Sequence, residues 1–212
     1  MSSHLRHAGL PLAEQRSIFS QMILESPLLT DALQRLHEFA GEASEFWLVS
    51  GALYNTVWNR LTGRPALHGI KDLDIVYFDG SDLSLEAEDA VIRRGADVFR
   101  GFPLPVEIRN QARVHLWFEE RFGQPYTPLH SATESIKRYS TIAHCVGARL
   151  VKDGEATKDE LLLHAPFGLD DIFSFRIRPN RAIDNRKTHE IKAARALKFW
   201  PELKVQYWDT PD

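Results

Sequence analysis

Two short apolar runs, EFWLVSG ending at Ser50-Gly51 and DLDIVYF over residues 72–78, bracket an amphipathic stretch that Gly63 closes. Apolar runs of this length, bounded by glycine and turn residues, read as buried strands. The segment between them, ALYNTVWNRLTG, keeps Leu53, Val57 and Leu61 on one stripe and so reads as a helix stopped at Gly63. Strand, turn, helix and strand in that order commit the chain to helices packed on a sheet. The second strand is unusual because Asp72 and Asp74 open it. Side chains alternate along a strand, so the two carboxylates project to the same side, about 7 Å apart.

The rest of the chain extends the pattern. Residues 12–25 and 28–39 read as two helices separated by Ser26-Pro27, and 83–99 as a third. LPVEIRN (104–110) reads as a strand, followed by a helix over ARVHLWFEERFG that ends at Gly123. SATESIKRY (131–139) reads as a short helix with a capping-box pattern, Ser131 as cap and Glu134 three residues later. AHCVGARLV (143–151) and ELLLHAP read as strands joined by KDGEATKD, and 184–200 as a C-terminal amphipathic helix. Elements alternate early and loosen later. The expected class is α+β, a mixed sheet with flanking helices in one domain: an N-terminal helical pair (1–44), a core (45–182), and a C-terminal helix and tail (183–212).

A formal charge of −3 does not suggest a protein that coats nucleic acid. Cys145 is the only cysteine, so an internal disulfide and a cysteine-based zinc site are excluded; in AHCVGARLV it reads as a small buried residue. The start, MSSHLRHAGLPLAEQ, has no apolar run of signal-peptide length, and nothing approaches the roughly 18 residues needed to span a membrane. The expectation is a reduced, soluble, cytoplasmic protein.

Glu107 stands between Val106 and Ile108, which would point to the opposite face, and makes a third acid on a later strand. Burying three carboxylates without cations costs several kcal/mol, so a buried trio implies a metal or raised pKa values. Hard oxygen ligands suit Mg²⁺, which keeps substrate phosphates in its remaining positions. Upstream, the glycine of VSGALYN at a strand-to-helix turn lets backbone N–H groups approach a phosphate. Plainer readings exist for each: Asp72 as a turn cap after Gly69, Glu107 paired with Arg109 or Arg113, Ser50-Gly51 as an ordinary tight turn. In FGLDDIF the adjacent Asp170 and Asp171 point apart, one reading as a helix cap and the other as a weak site candidate.

Four blocks, GALYNTVWNRLTG, KDLDIVYFD, VEIRNQARVHLWFEERFG and APFGLDDIFSFRIRPN, resemble successive blocks of a bacterial nucleotidyltransferase-like family. That family lies within the DNA polymerase β-like superfamily, and the likeness covers about residues 45–201. It implies a nucleotidyltransferase-like fold, Asp72 and Asp74 as metal ligands with Glu107 as third carboxylate, and Mg²⁺ or Mn²⁺ with an NTP such as ATP as co-substrate. Ser50 and Gly51 would lie against the triphosphate, with Asn110, Arg113 and His115 close after Glu107; a guanidinium at Arg113 suits phosphate by its forked donors. Ala52 stands where the superfamily usually has a second glycine or a serine, and RYSTIAHC replaces a Trp-Pro ahead of a Thr-rich strand, which affects any contact from Thr141.

No block resembles a basic nucleic-acid domain, so a small molecule or a protein residue is the expected acceptor rather than a long polynucleotide. The haloacid-dehalogenase-like phosphatases also use Asp-x-Asp, but DLDIVYFDG runs on into its strand and lacks their threonine. A catalytically inactive nucleotide-binding sensor or partner module is the remaining alternative.

Overall fold

The computed structural model describes residues 3–41, 45–152 and 159–210. Helices α1 (Leu12–Leu24) and α2 (Pro27–Ala40) form where the apolar spacing places them, with Pro27 in the first turn of α2. Strand β1 (Trp47–Val49) leads into α3 (Gly51–Thr62), which ends on Gly63 in the left-handed conformation, φ 67°. Then follow β2 (Leu73–Tyr77), α4 (Leu85–Val98) and β3 (Val106–Asn110). The short helices α5 (Phe118–Phe122) and α6 (Ala132–Ile136) precede β4 (Gly147–Lys152) and β5 (Asp159–His164). Last come α7 (Asp170–Phe173), β6 (Arg176–Ile177), α8 (Arg186–Phe199) and β7 (Lys204–Val205).

Five strands form one mixed sheet in the order β3-β2-β1-β4-β5, with β2 and β3 parallel and the other neighbours antiparallel. The α+β expectation is met. Strand alternation gives the sheet two apolar faces. Leu48, Ile75, Ile108 and Ala148 join the large cluster under α1, α2 and α3, where Phe19, Leu33 and Trp58 are fully buried. Each such side chain contributes about 1.5–3 kcal/mol. Trp47, Val49 and Val76 face the other way, under Ala132 and Ile136 of α6.

Three segments differ from the sequence reading. The helix expected over ARVHLWFEERFG splits into a 3₁₀ segment, Gln111–Leu116, and α5. Asn110 Oδ1 accepts the Ala112 N–H at 3.1 Å and starts a tight turn there, and Trp117 leaves helical geometry. The strand expected from residue 143 begins at Gly147, because Ile142–His144 form a 3₁₀ turn tied to Arg178 O through the Ile142 N–H. Finally β2 begins at Leu73, so Asp72 precedes it. Ser131 does cap α6, accepting the Glu134 N–H at 3.1 Å, while Glu134 accepts the His130 N–H. The link expected as KDGEATKD lies mostly outside the described residues. Among the described residues no helix is long and apolar enough to cross a membrane.

Candidate active site

Val49, Asp74 and Glu107 form one row across three strands: Val49 pairs with Asp74, and Asp74 with Glu107. Period-two alternation puts Asp74 and Glu107 on the face away from Ile75 and Ile108. A cleft of about 730 Å³ opens over this row, lined by Ser50, Asp74, Glu107, Arg138, Tyr139 and Lys192 among others.

The turn after β1 is strained. Ser50 sits at φ 57°, ψ −113°, where side chains other than glycine are rare. Its N–H donates to Val146 O at 2.8 Å and its C=O accepts the Leu53 N–H at 3.0 Å, so both flanks hold it there. Its side chain makes no cap to α3, so the Gly51 and Ala52 N–H groups gain no acceptor from it. At Gly51 a Cβ would meet nothing nearer than Asn55 Nδ2 at 3.8 Å. Packing therefore does not demand this glycine; what it leaves is open backbone at the positive end of a helix. Ser50→Gly is expected to raise stability by about 0.5–1 kcal/mol by releasing the strain. Thermal unfolding checks this: a midpoint lower than wild type would show that the turn stores none.

Asp74 is the most perturbed acid in the row. Burial, then repulsion from Asp72 and Glu107, raises its pKa from 3.8 to about 6, against attraction from Lys192 and Lys71. Among the described residues no donor is hydrogen-bonded to its oxygens. Asp72 has its carboxylate on Lys71 Nζ at 2.7 Å and does not line the cleft. Glu107, about half exposed, faces Arg109 at 3.9 Å. Among the described residues no three His, Cys, Asp or Glu side chains are grouped closely enough to hold a metal ion. The donors nevertheless suit Mg²⁺ or Mn²⁺ chemically: all are hard oxygens, and Asp74 carries a charge that its neighbours make costly and that a cation would relieve. Lys71 is 69% exposed, so freeing Asp72 from it costs little.

Asn110 and Arg113 border the cleft with their polar atoms committed elsewhere. Asn110 Oδ1 accepts from Asp79 N–H at 3.0 Å as well as from Ala112, and Nδ2 donates to Asp79 O at 2.8 Å. Arg113 is buried, donating Nε to Leu83 O at 2.9 Å and pairing Nη1 with Glu88. His115 stays outside the cleft lining, its buried Nδ1 without a partner. Thr141 spends its hydroxyl on His189 Nδ1 at 2.8 Å. Asp171, 4% exposed, binds Arg176 Nε at 2.6 Å and Arg178 Nε at 2.7 Å. Asp170 opens α7 without occupying its cap position, and accepts instead from the Gly9 N–H and Gln15, tying down the N-terminal arm. Both aspartates therefore serve the scaffold. Cys145 is buried with its thiol pushed up to about 12, chiefly by burial.

Lys192 is the site residue that sequence reasoning missed. Its surface is open to solvent, yet it sits down in the concavity with protein around it; burial lowers its pKa while Asp74 pulls the other way. His189, one turn earlier on α8, is fully buried and bonded at both ring nitrogens, to Thr141 and to Gln206 O, which anchors that part of the helix. Nothing in the local pattern of residues 184–200 marks Lys192. Trp117 and its neighbours had a signal: Leu116-Trp117-Phe118 is apolar on more sides than one buried stripe can use.

No curated protein matches this sequence. An NMR structure whose description is that it reveals a CCA-adding enzyme head domain aligns with 90% of this chain and 95% of its own, with TM-score 0.68 and 22% identity. At that identity the likeness is one of fold. Residues 42–205 match the model of a family described as nucleotidyltransferase. Because that match runs from ahead of β1 to the end of β7, and so takes in the whole sheet and the row of acids, the chain belongs to this nucleotidyltransferase family.

Proposed function

We propose that the protein moves a nucleoside monophosphate from an NTP to a hydroxyl acceptor, a small molecule or a protein side chain, at the Asp74–Glu107 row. The observation that carries this reading is the placement of Asp74, unpartnered and raised to about 6, between Glu107 and the strained Ser50-Gly51 turn. A perturbed carboxylate in a cleft beside an uncapped helix start is what phosphoryl chemistry uses.

Asp72, Asp74 and Glu107 would hold the divalent cation, which when bound supplies Lewis-acid stabilisation of the triphosphate and a more acidic acceptor hydroxyl. The backbone N–H groups after Ser50 donate to phosphate oxygens, and Lys192 offsets their charge. Glu107, the most open of the three acids, takes the acceptor proton as the hydroxyl oxygen bonds to the α-phosphorus and pyrophosphate leaves. The pairings of Asp72 with Lys71 and of Glu107 with Arg109 favour a second reading, a module that binds nucleotide without turnover.

Thermal midpoints with each of the four NTPs, with and without Mg²⁺ or Mn²⁺, test both. A ligand at 100 times its Kd adds about 2.7 kcal/mol, so binding shifts the midpoint visibly. A metal-dependent shift with pyrophosphate release supports transfer. A shift that brings no release with any hydroxyl acceptor supports the module, and no shift at all removes both.

A further inference from the structure

One aromatic part of the cleft wall is built unlike the rest. It consists of Trp117, Phe118, Arg121, Phe122, Tyr126 and Arg138. Phe118 is buried and packs its ring on Phe122 at 4.6 Å and Tyr126 at 4.4 Å. Trp117 and Phe122 remain 38% and 42% exposed. The Arg121 guanidinium lies 5.9 Å from the Trp117 ring and 5.6 Å from Phe122, and Arg138 lies 4.7 Å from Tyr126. Phe118 alone of α5 is buried, so folding explains one aromatic of this wall and leaves two large rings in water at the edge of a cavity.

A ligand that fits such a wall has a flat π-face for the rings and negative charge for the guanidiniums. A nucleobase carried on a phosphorylated sugar has both. Stacking on aromatic side chains is tolerant of base identity because every base has a π-face, and arginine adds a cation–π contribution. The 730 Å³ cleft is large enough to hold a base at this wall and phosphates at the row of acids. We propose that Trp117, Phe122 and Arg121, supported by Tyr126 and Arg138, form a nucleobase-stacking subsite, occupied by the base of the NTP or by that of a nucleotide-bearing acceptor. The proposal rests on the transfer reading for the identity of its ligand but on the aromatic wall for its location.

The test compares Trp117→Leu, which keeps apolar volume without a ring, with Trp117→Phe, which keeps a π-face. Kd is measured for the full chain in Mg²⁺ against three probes: inorganic tripolyphosphate, ATP, and a short single-stranded oligoadenylate. Trp117→Leu is expected to weaken a base-bearing probe at least about fivefold, with Trp117→Phe near wild type and tripolyphosphate unchanged. Loss on ATP assigns the subsite to the donor base, and loss confined to the oligonucleotide assigns it to the acceptor. Equal binding of both base-bearing probes by wild type and Trp117→Leu overturns the proposal, as does failure of every probe to bind wild type. If wild type binds ATP through Trp117 but ignores tripolyphosphate, stacking stands and the transfer reading falls. Should Trp117→Leu not fold, Phe122→Leu, at the other exposed ring of this wall, replaces it with the same expected loss and the same overturning result.

Discussion

Asp74→Asn is expected to melt higher than wild type in chelator-treated protein at pH 8, while losing its metal-dependent response to NTP. The carboxyl of Asp74 titrates near 6 in the fold against an ordinary 3.8, chiefly because burial disfavours its charge. That gap corresponds to about 3 kcal/mol, which partial solvent access and the lost attraction of Lys192 reduce to about 1–2 kcal/mol. The sign follows from linkage. A carboxyl raised in the fold favours folding while protonated, fully below about pH 4, and that contribution is lost as pH rises through about 6. The neutral amide avoids the loss, so its advantage is present at pH 8 and shrinks toward pH 4. For a chain of this length the midpoint should rise by about 3–6 °C at pH 8. Melting curves of the two proteins across pH 4.5–8 measure it directly. An asparagine variant that melts no higher at pH 8 would mean that Asp74 already has a partner that stabilises its charge. The combination of greater stability and lost nucleotide response is what a site held at the expense of folding energy predicts.

Arg113→Ala carries the largest expected loss, about 3–5 kcal/mol and a midpoint lower by roughly 10 °C. The Arg113 and Glu88 side chains are only 9% and 12% exposed, and each has a second task. Arg113 Nε holds Leu83 O, and Glu88 Oε1 accepts the Asn110 N–H at 2.8 Å. Removing the guanidinium therefore strands a buried carboxylate at the end of β3 and a carbonyl ahead of α4. A double variant, Arg113→Ala with Glu88→Ala, should recover part of the loss, because the stranded charge goes with it. Denaturant midpoints of the single and double variants provide the measurement. If instead Arg113→Ala melts like wild type and binds NTP poorly, the guanidinium serves the nucleotide, as the family resemblance suggested.

Aspartate at 74 and glutamate at 107 were legible as candidates because each interrupts an apolar strand, and period-two alternation places both on the same face of neighbouring strands. The structure adds that they are direct register partners, which no single strand encodes. Asn110 and Arg113 were legible as polar residues near the site; that their donors and acceptors go to Asp79, Leu83 and Glu88 depends on how α4 and its preceding loop meet β3. The helix over residues 112–123 failed for a similar reason, since its apolar spacing is locally sound but the Asn110 side chain captures the Ala112 N–H first.

Sequence alone determined most of the elements, the mixed class, the glycine that ends α3 and the three acids worth testing, because periodicity, caps and alternation act within a few residues along the chain. Tertiary structure decided which carboxylate stays unpartnered, that α8 delivers Lys192 to the cleft, and that Trp117 and Phe122 line the same cleft as the acids. Those outcomes arise where elements distant in sequence compete for the same hydrogen bonds and buried surface, a competition settled only once the whole sheet and its helices are packed.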